Sequence, residues 1–395
     1  MILFFNPGHE TAVLNGSPFY TAPANVVSMQ QELAYLPAWY GGCSDVVLVP
    51  GKTEEDTYYA AIRKQYPHLP MPIDNIKECT GQEVSLWGIS PQAIHYFETL
   101  QQKNDINLVV PKWNNSYLGL NNRRSAHNIL SELVKDIPQV DSYIIPRFCT
   151  SLDEIEAYLS TSTESLIAKA PYSSSGRGLL WLPDTGLTRT ERQILHGILK
   201  KQGSVGIERV LDKQVDFAME FMCDGKGKAS FHGYSLFDTN AKGGYEANYI
   251  GPQEYIEDVL CNKISSSLLM EVCTRLERLL GEKYAPVYKG CIGVDMMIYK
   301  DKEDCKLHPC LEVNMRYNMG YLALKLYEKY ICSGSQGKFY ISFDAKDGKT
   351  YADHLLLEQK HPAVFDNNRL KQGYLPLCPV NKQNRYHAYV IVDTL

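Results

Sequence analysis

Two apolar stretches, residues 290–299 (GCIGVDMMIY) and 306–314 (KLHPCLEVN), each carry a carboxylate where a core strand ordinarily has none. The charged run 300–305 between them reads as the turn of a hairpin. Folding about that turn sets Asp295 opposite Leu311 or Glu312. Side chains alternate along a strand, so Glu312, Asn314 and Arg316 share a face if the second strand stays extended. Two carboxylates, an amide oxygen and a guanidinium then form one patch. An unpaired carboxylate in such a strand is costly. A divalent cation would relieve it, and magnesium suits, because it takes carboxylate and phosphate oxygens together. A structural ion pair with arginine would relieve it equally.

A second feature lies upstream. Residues 166–170 (LIAKA) read as a strand that runs into PYSSSGRG (171–178) and then into a strand at 179–182. Serine and glycine let backbone N–H groups come close to phosphate oxygens, and Lys169 on the entering strand adds a cation. No Gly-Lys-Ser/Thr opens a helix, so this is not a Walker A loop; the other reading is an ordinary hairpin turn. Residues 205–211 (VGIERVL) form an apolar strand crossing to the next region. Its backbone suits an adenine edge, with Leu211 against the ring and Glu208 nearby; taken alone, it is a linking strand.

The 395 residues predict two or three domains. A hydrophobic share of 44 % with 22 % charged residues excludes a disordered chain. Forty basic against 45 acidic residues argues against nucleic acid as the main partner. No apolar run approaches the ~18 residues needed to span a bilayer, and the N-terminus has no basic leader, so no membrane partner and a cytoplasmic location are expected. Eleven cysteines without a Cys-x-x-Cys pair predict reduced thiols. Cys305, His308 and Cys310 cluster, but zinc wants a second such pair, and they read as a hairpin arm.

The first ~115 residues alternate strands (2–5, 45–49, 84–87) with helices (24–39, 54–65, 91–102), which predicts a small parallel sheet. Ligands meet such sheets at the carboxyl ends of strands, and Asn6-Pro7-Gly8-His9-Glu10 is one such end. His9 and Glu10 are either substrate contacts or solvated turn residues. Farther on, Ser151-x-x-Glu154 and Thr188-x-x-Glu191 read as capping boxes. Residues 217–223 and 229–237 read as a hairpin. Residues 238–254 read as a polar, tyrosine-rich loop, either a mobile substrate cover or a self-packed Ω-loop. A helix carries Leu268, Leu269, Val272, Leu276, Leu279 and Leu280 on one stripe, with Gly281 as its stop.

Taken in order, the strand lysine, Ser/Gly loop, interdomain strand with Glu208, Gly293-Val294-Asp295 and Leu311-Glu312-Val313-Asn314-Met315-Arg316 resemble the ATP-grasp superfamily over roughly residues 115–325. The resemblance implies an α/β and α+β chain: an N-terminal α/β domain (1–115), an ATP-grasp lid subdomain with its linking helix (116–211), a large subdomain with the metal site (212–330) and a β-rich C-terminal extension (331–395). It implies that Asp295, Glu312 and Asn314 hold two magnesium ions, with manganese as an alternative. Lys169, Ser174, Ser175 and Gly176 would meet ATP phosphates, Glu208 and Leu211 would frame the nucleotide, Asp216 would contact the ribose, and Arg316 would steady the transferring phosphoryl group. The family usually has Asp-Lys at the start of the helix before the phosphate loop; Asn122-Arg123 stands here, with Arg123 the expected replacement and Arg124 the other candidate. The implied activity is an ATP- and magnesium-dependent carboxylate–amine (or thiol) ligase forming an acylphosphate on a small carboxylic acid, amino acid or peptide. A non-catalytic nucleotide-binding protein and an ATP-dependent phosphotransferase are the other readings.

Overall fold

The computed structural model describes residues 1–51, 57–173, 178–240 and 243–394. In chain order they form β1 (Ile2–Phe4), α1 (His9–Asn15), α2 (Ala24–Glu32), β2 (Val46–Leu48), α3 (Thr57–Gln65), β3 (Met71–Ile73), β4 (Val84–Leu86) and α4 (Pro91–Asn104). Next come α5 (Ser116–Leu120), α6 (Arg123–Asp136), β5 (Arg147–Cys149), α7 (Leu152–Thr161), β6 (Leu166–Lys169), β7 (Leu179–Leu182), α8 (Arg189–Gln202), β8 (Val205–Arg209), β9 (Asp212–Asp224) and β10 (Ala229–Thr239). The remainder is β11 (Tyr245–Ile250), α9 (Gln253–Cys261), α10 (Ser266–Lys283), β12 (Lys289–Asp301), β13 (Asp304–Asn314), α11 (Met319–Tyr330), β14 (Ser335–Phe343), α12 (Lys349–Lys360), β15 (Val364–Asp366), β16 (Arg369–Pro376) and β17 (Tyr386–Thr394). Among the described residues no helix is long and apolar enough to cross a membrane.

The chain divides into two compact units. The first comprises Met1–Asn114, Glu246–Ile256 and Arg316–Leu395. It holds a parallel sheet in the order β3-β2-β1-β4 and antiparallel strands in the order β11-β14-β17-β16-β15. The β-rich C-terminal segment therefore folds in one unit with the N-terminal sheet, and Trp39, fully buried, donates its indole N–H to the Leu377 carbonyl at 2.8 Å. Two departures from the periodicity have local causes. The helix expected over 24–39 ends at Glu32, and a separate 3-10 turn, Leu36–Trp39, follows with Pro37 near its start, where a missing N–H costs nothing. The unforeseen β3 contains Pro72 and lies at a sheet edge, where proline breaks no interior ladder.

The second unit comprises Asn115–Tyr245 and Glu257–Met315. One antiparallel sheet runs β5-β8-β6-β7. Its core is Cys149, Ile155, Leu166, Ala168, Leu182, Leu195, Val205 and Ile207, covered by α7 and α8. The Thr188–Glu191 capping box is formed at α8. At α7, Ser151 accepts from the Glu154 N–H, while Glu154 reaches back to the Thr150 N–H. The other strands run β13-β12-β9-β10, and α10 buries its leucine stripe against them.

Gly281 does not stop α10, which continues to Lys283. A Cβ there would stand 2.9 Å from the Gly227 carbonyl oxygen, so glycine serves close approach to the β9–β10 turn. Nor are residues 238–254 a loop throughout. β10 extends to Thr239, Asn240 caps the turn by accepting from the Gly244 N–H, and β11 pairs residue by residue with β14 before α9 begins. Those ladder bonds satisfy the backbone, so most of the segment is not a free cover.

Candidate nucleotide and metal site

The β12–β13 hairpin turns at Lys302, whose φ of 57° is left-handed, and its register sets Asp295 directly opposite Glu312. Asn314 pairs with Gly293, two residues along. On the other side of β12, Asp295 pairs with Ala218, Gly293 with Glu220 and Met297 with Asp216. Paired residues share a face, strands lie about 4.8 Å apart and alternate residues return to that face. One face thus carries three rows: Asp216, Met297 and His308; Ala218, Asp295 and Glu312; Glu220, Gly293 and Asn314. The register slips between the first two rows. Pro309, which cannot donate to a ladder, falls in that irregularity.

Packing of α6 against β13 brings Arg123 to this face. Its Nη2 donates to Glu312 Oε2 at 2.9 Å, its Nε to the Ala170 carbonyl at 3.1 Å, and its backbone N–H to the Pro171 carbonyl at 3.0 Å. The guanidinium also reaches Ser173 Oγ at 3.4 Å. Arg124 instead lies over the Phe148 ring, 4.4 Å from its centroid. Of the two arginines, Arg123 is the one joined to the carboxylate and to the strand entering the Ser/Gly loop.

β6 and β8 pair with Ile167 opposite Glu208 and Lys169 opposite Gly206, so Lys169 and Glu208 lie diagonally on one face. Their Nζ and Oε2 are 2.5 Å apart and both side chains are mostly buried. The Ala170 N–H bonds the Gly178 carbonyl, closing the base of the loop; Ser174, Ser175 and Gly176 lie outside the described residues. Leu211, half-buried, sits in the short connection between β8 and β9. Asp216 is held by Lys213 Nζ at 2.6 Å and by the Thr239 hydroxyl at 2.7 Å.

Arg316 does not continue the face of Glu312 and Asn314 along an extended strand. β13 ends at Asn314, and Asn318 already caps α11, accepting from the Tyr321 N–H at 2.8 Å. Within the first unit, Arg316 Nε donates to Glu10 Oε1 at 2.6 Å, and Glu10 Oε2 lies 3.3 Å from His9 Nδ1. Burial favours the neutral acid at Glu10, but Arg316 and then His9 outweigh it and hold the carboxyl well below its ordinary range. His9 and Glu10 are buried and are not solvated turn residues.

Cys310 packs its thiol toward the Ala126 carbonyl, and burial raises it far above the usual thiol range. His308 is buried, and desolvation pushes it down to about 4. Among the described residues no group of three His, Cys, Asp or Glu side chains is placed to hold a metal; the candidate magnesium set is two carboxylates and an amide. Two groups escaped the sequence reading. Glu220, 1 % exposed, interrupts the apolar run FAMEFMC as Asp295 interrupts its own strand. His308 lay hidden within an apparent zinc pattern.

No protein-family model and no curated protein sequence matches this chain. Solved structures do. Biotin carboxylase of Campylobacter jejuni in a β-γ-ATP complex superposes with a TM-score of 0.51 at 12 % identity, covering 99 % of this chain and 87 % of that one. The biotin carboxylase domain of Hydrogenobacter thermophilus 2-oxoglutarate carboxylase, with MgADP and bicarbonate, gives 0.51 at 11 %, covering 87 % and 75 %. An ADP complex of N5-carboxyaminoimidazole ribonucleotide synthetase gives 0.52 at 9 %, covering 99 % and 91 %. At these identities the likeness concerns architecture, and with the topology above it establishes that this chain has the ATP-grasp fold.

Proposed function

We propose that this chain is an ATP- and magnesium-dependent ligase that joins a small carboxylate to an amine through an acylphosphate. The observation that carries the reading is the directly opposed Asp295–Glu312 pair with Asn314 on the same face. That oxygen-rich donor set suits magnesium, which supplies charge neutralisation for the triphosphate when bound. Asp295, Glu312 and Asn314 would hold it. Lys169, leaving Glu208, would neutralise phosphate oxygens, while Arg123 stays anchored to Ala170 and Glu312. Glu208 and Leu211 would frame the nucleotide and Asp216 would accept from the ribose. Ser174, Ser175 and Gly176 would meet the ATP phosphates.

In the reaction a substrate carboxylate oxygen attacks the γ-phosphorus and the bond to the ADP oxygen breaks. An amine then attacks the acyl carbon, loses a proton and expels inorganic phosphate. The chain contributes positioning and charge rather than covalent chemistry. Arg316, aimed by Glu10, would meet the negative charge of the carboxylate or phosphoryl group. The nucleotide complexes of the neighbouring structures support an ATP site, and a cytoplasmic location fits such a substrate.

A second reading, nucleotide binding without turnover, is favoured by one observation. Arg123 stands in place of the family's lysine and is already engaged by three partners. ADP release measured over pooled amino acids, dipeptides and small carboxylic acids separates the two. Substrate-dependent ADP supports the ligase. ATP binding with no ADP from any pool supports the binder.

A further inference from the structure

The first unit holds a cluster of ligating side chains where α12 packs on β16, beside β17. The Tyr374 hydroxyl of β16 lies 2.6 Å from His354 Nδ1 on α12 and 2.7 Å from His387 Nε2 on β17. Tyr374 is 3 % and His387 2 % exposed, while His354 is half-buried and leaves a way in from solvent. The two imidazole rings stand at 89°, with centroids 5.8 Å apart, and each turns one nitrogen on the same oxygen. The Tyr389 ring packs against both His387 and Tyr374. Behind His354, its Nε2 faces Glu358 Oε1 at 3.7 Å, one helical turn along.

A hydroxyl carries one proton, so of the two contacts one is O–H···N and the other N–H···O. Two hydrogens therefore hold together one oxygen and two nitrogens that are metal ligands once those hydrogens leave. Burial, the leading cause, lowers both imidazoles, His387 to about 3, so protons do not compete for their nitrogens at neutral pH. A tetrahedral ion with bonds of about 2.1 Å sets its donors about 3.4 Å apart. Each contact need open by less than about 1 Å to accept one. A ligating histidine commonly turns its other ring nitrogen to a carboxylate, the place that Glu358 takes.

We propose that His354 Nδ1, Tyr374 Oη and His387 Nε2 form a binding site for one divalent transition ion of the zinc type, which pins α12 to the sheet. On binding, the O–H bond of Tyr374 breaks and its proton leaves to solvent. The bridging imidazole proton moves to the other nitrogen of its ring. The phenolate offsets one of the ion's two charges, and the Glu358 carboxylate faces the remainder. Imidazole donors favour such an ion over magnesium, so the site is chemically distinct from the Asp295–Glu312 pair and does not depend on the nucleotide reading.

The test is calorimetric titration of the metal-stripped full chain with zinc in excess magnesium, which competes at carboxylate sites and not at imidazoles. The unaltered protein should take up one tight equivalent and release about one proton per ion. His354→Gln and His387→Gln should weaken zinc by at least about a hundredfold, the upper end for an outer partner. Tyr374→Phe keeps the ring packing, so it is the readable variant if a histidine form does not fold. It should weaken zinc likewise and abolish the proton release. Glu358→Gln should weaken zinc by about tenfold with the metal-free protein's urea stability unchanged, a split that a purely structural pin does not produce. No zinc equivalent on the unaltered protein, or the same equivalent in Tyr374→Phe, overturns the proposal and leaves a hydrogen-bonded pin. So does cobalt(II) uptake with a thiolate charge-transfer band, which assigns the ion to the cysteines.

Discussion

Arg123 Nη2 lies 2.9 Å from Glu312 Oε2, so the first residue of α6 and a carboxylate near the end of β13 are directly joined. The same guanidinium is fixed by the Ala170 carbonyl. One side chain thereby ties the helix start, the strand entering the Ser/Gly loop and the candidate metal carboxylate together. Arg123→Ala should weaken magnesium-ATP binding by about tenfold or more while sparing adenosine, if the charge beside Glu312 serves the phosphate side of the proposed site. Arg123→Lys keeps the charge without the planar fork and should fall between. Equal losses for ATP and adenosine, read by calorimetry, would assign Arg123 a purely structural role.

Stability and binding should separate at the Lys169–Glu208 pair. Lys169→Met strands a mostly buried carboxylate and should lower unfolding free energy by about 1–3 kcal/mol. Adding Glu208→Gln removes that stranded charge and should restore much of the stability. ATP affinity should stay low in the double variant, because the proposed phosphate partner is gone. Recovery of both quantities together in urea unfolding and binding titrations would refute a phosphate role for Lys169.

At Glu10 the sign of the pH dependence is fixed by the depressed folded-state value. An acid held below its unfolded value, about 4.3, adds stability above that pH and loses it as pH falls through the folded value. Arg316 is the leading cause opposing burial there. Arg316→Ala should therefore reduce stability at neutral pH and flatten the acid limb below about pH 4.5. It should keep magnesium-ATP affinity within a few-fold yet abolish substrate-dependent ADP formation. Melting curves against pH and the ADP assay read the two effects, and an Arg316→Ala protein with full turnover contradicts the role.

His387 gives the opposite kind of titration. It is buried beside Tyr374, whose hydroxyl lies 2.7 Å from its Nε2 and 2.6 Å from His354 Nδ1. Burial first, and the charge of His354 second, push His387 down to about 3. As pH falls below about 6.5 the unfolded chain takes a proton that the folded chain refuses. Each such histidine should cost up to about 1.4 kcal/mol per pH unit. His308, at about 4, adds to the same slope. His387→Gln should reduce the slope of urea-unfolding free energy between pH 6.5 and 4.5; an unchanged slope shows that His387 does not titrate as its burial requires.

The Asp295–Glu312 register was legible because a short turn leaves only one or two pairings open and a lone carboxylate stands out in an apolar strand. Glu220, inside the apolar run FAMEFMC, carries the same signal. The Lys169–Glu208 contact was not legible, because it depends on a β6–β8 register that α8 separates in sequence. The Arg316–Glu10 contact was not legible, because the two residues lie 306 positions apart; no local rule shows that the strand must end two residues before Arg316. Residues 238–254 misled because polar and tyrosine-rich sequence suits an interior strand whose ladder is supplied by distant β14. Gly281 misled because a glycine required by a neighbouring backbone looks like a helix stop.

The claim that the opposed carboxylates form a magnesium-nucleotide site is tested most directly by calorimetric titration of ATP, with and without magnesium, into the unaltered protein, Asp295→Ala and Glu312→Ala. Magnesium should tighten ATP binding in the unaltered protein, and each substitution should abolish most of that enhancement while leaving adenosine binding in place. Unchanged magnesium-ATP affinity in both variants would contradict the account and leave Glu312 as the partner of a structural ion pair with Arg123.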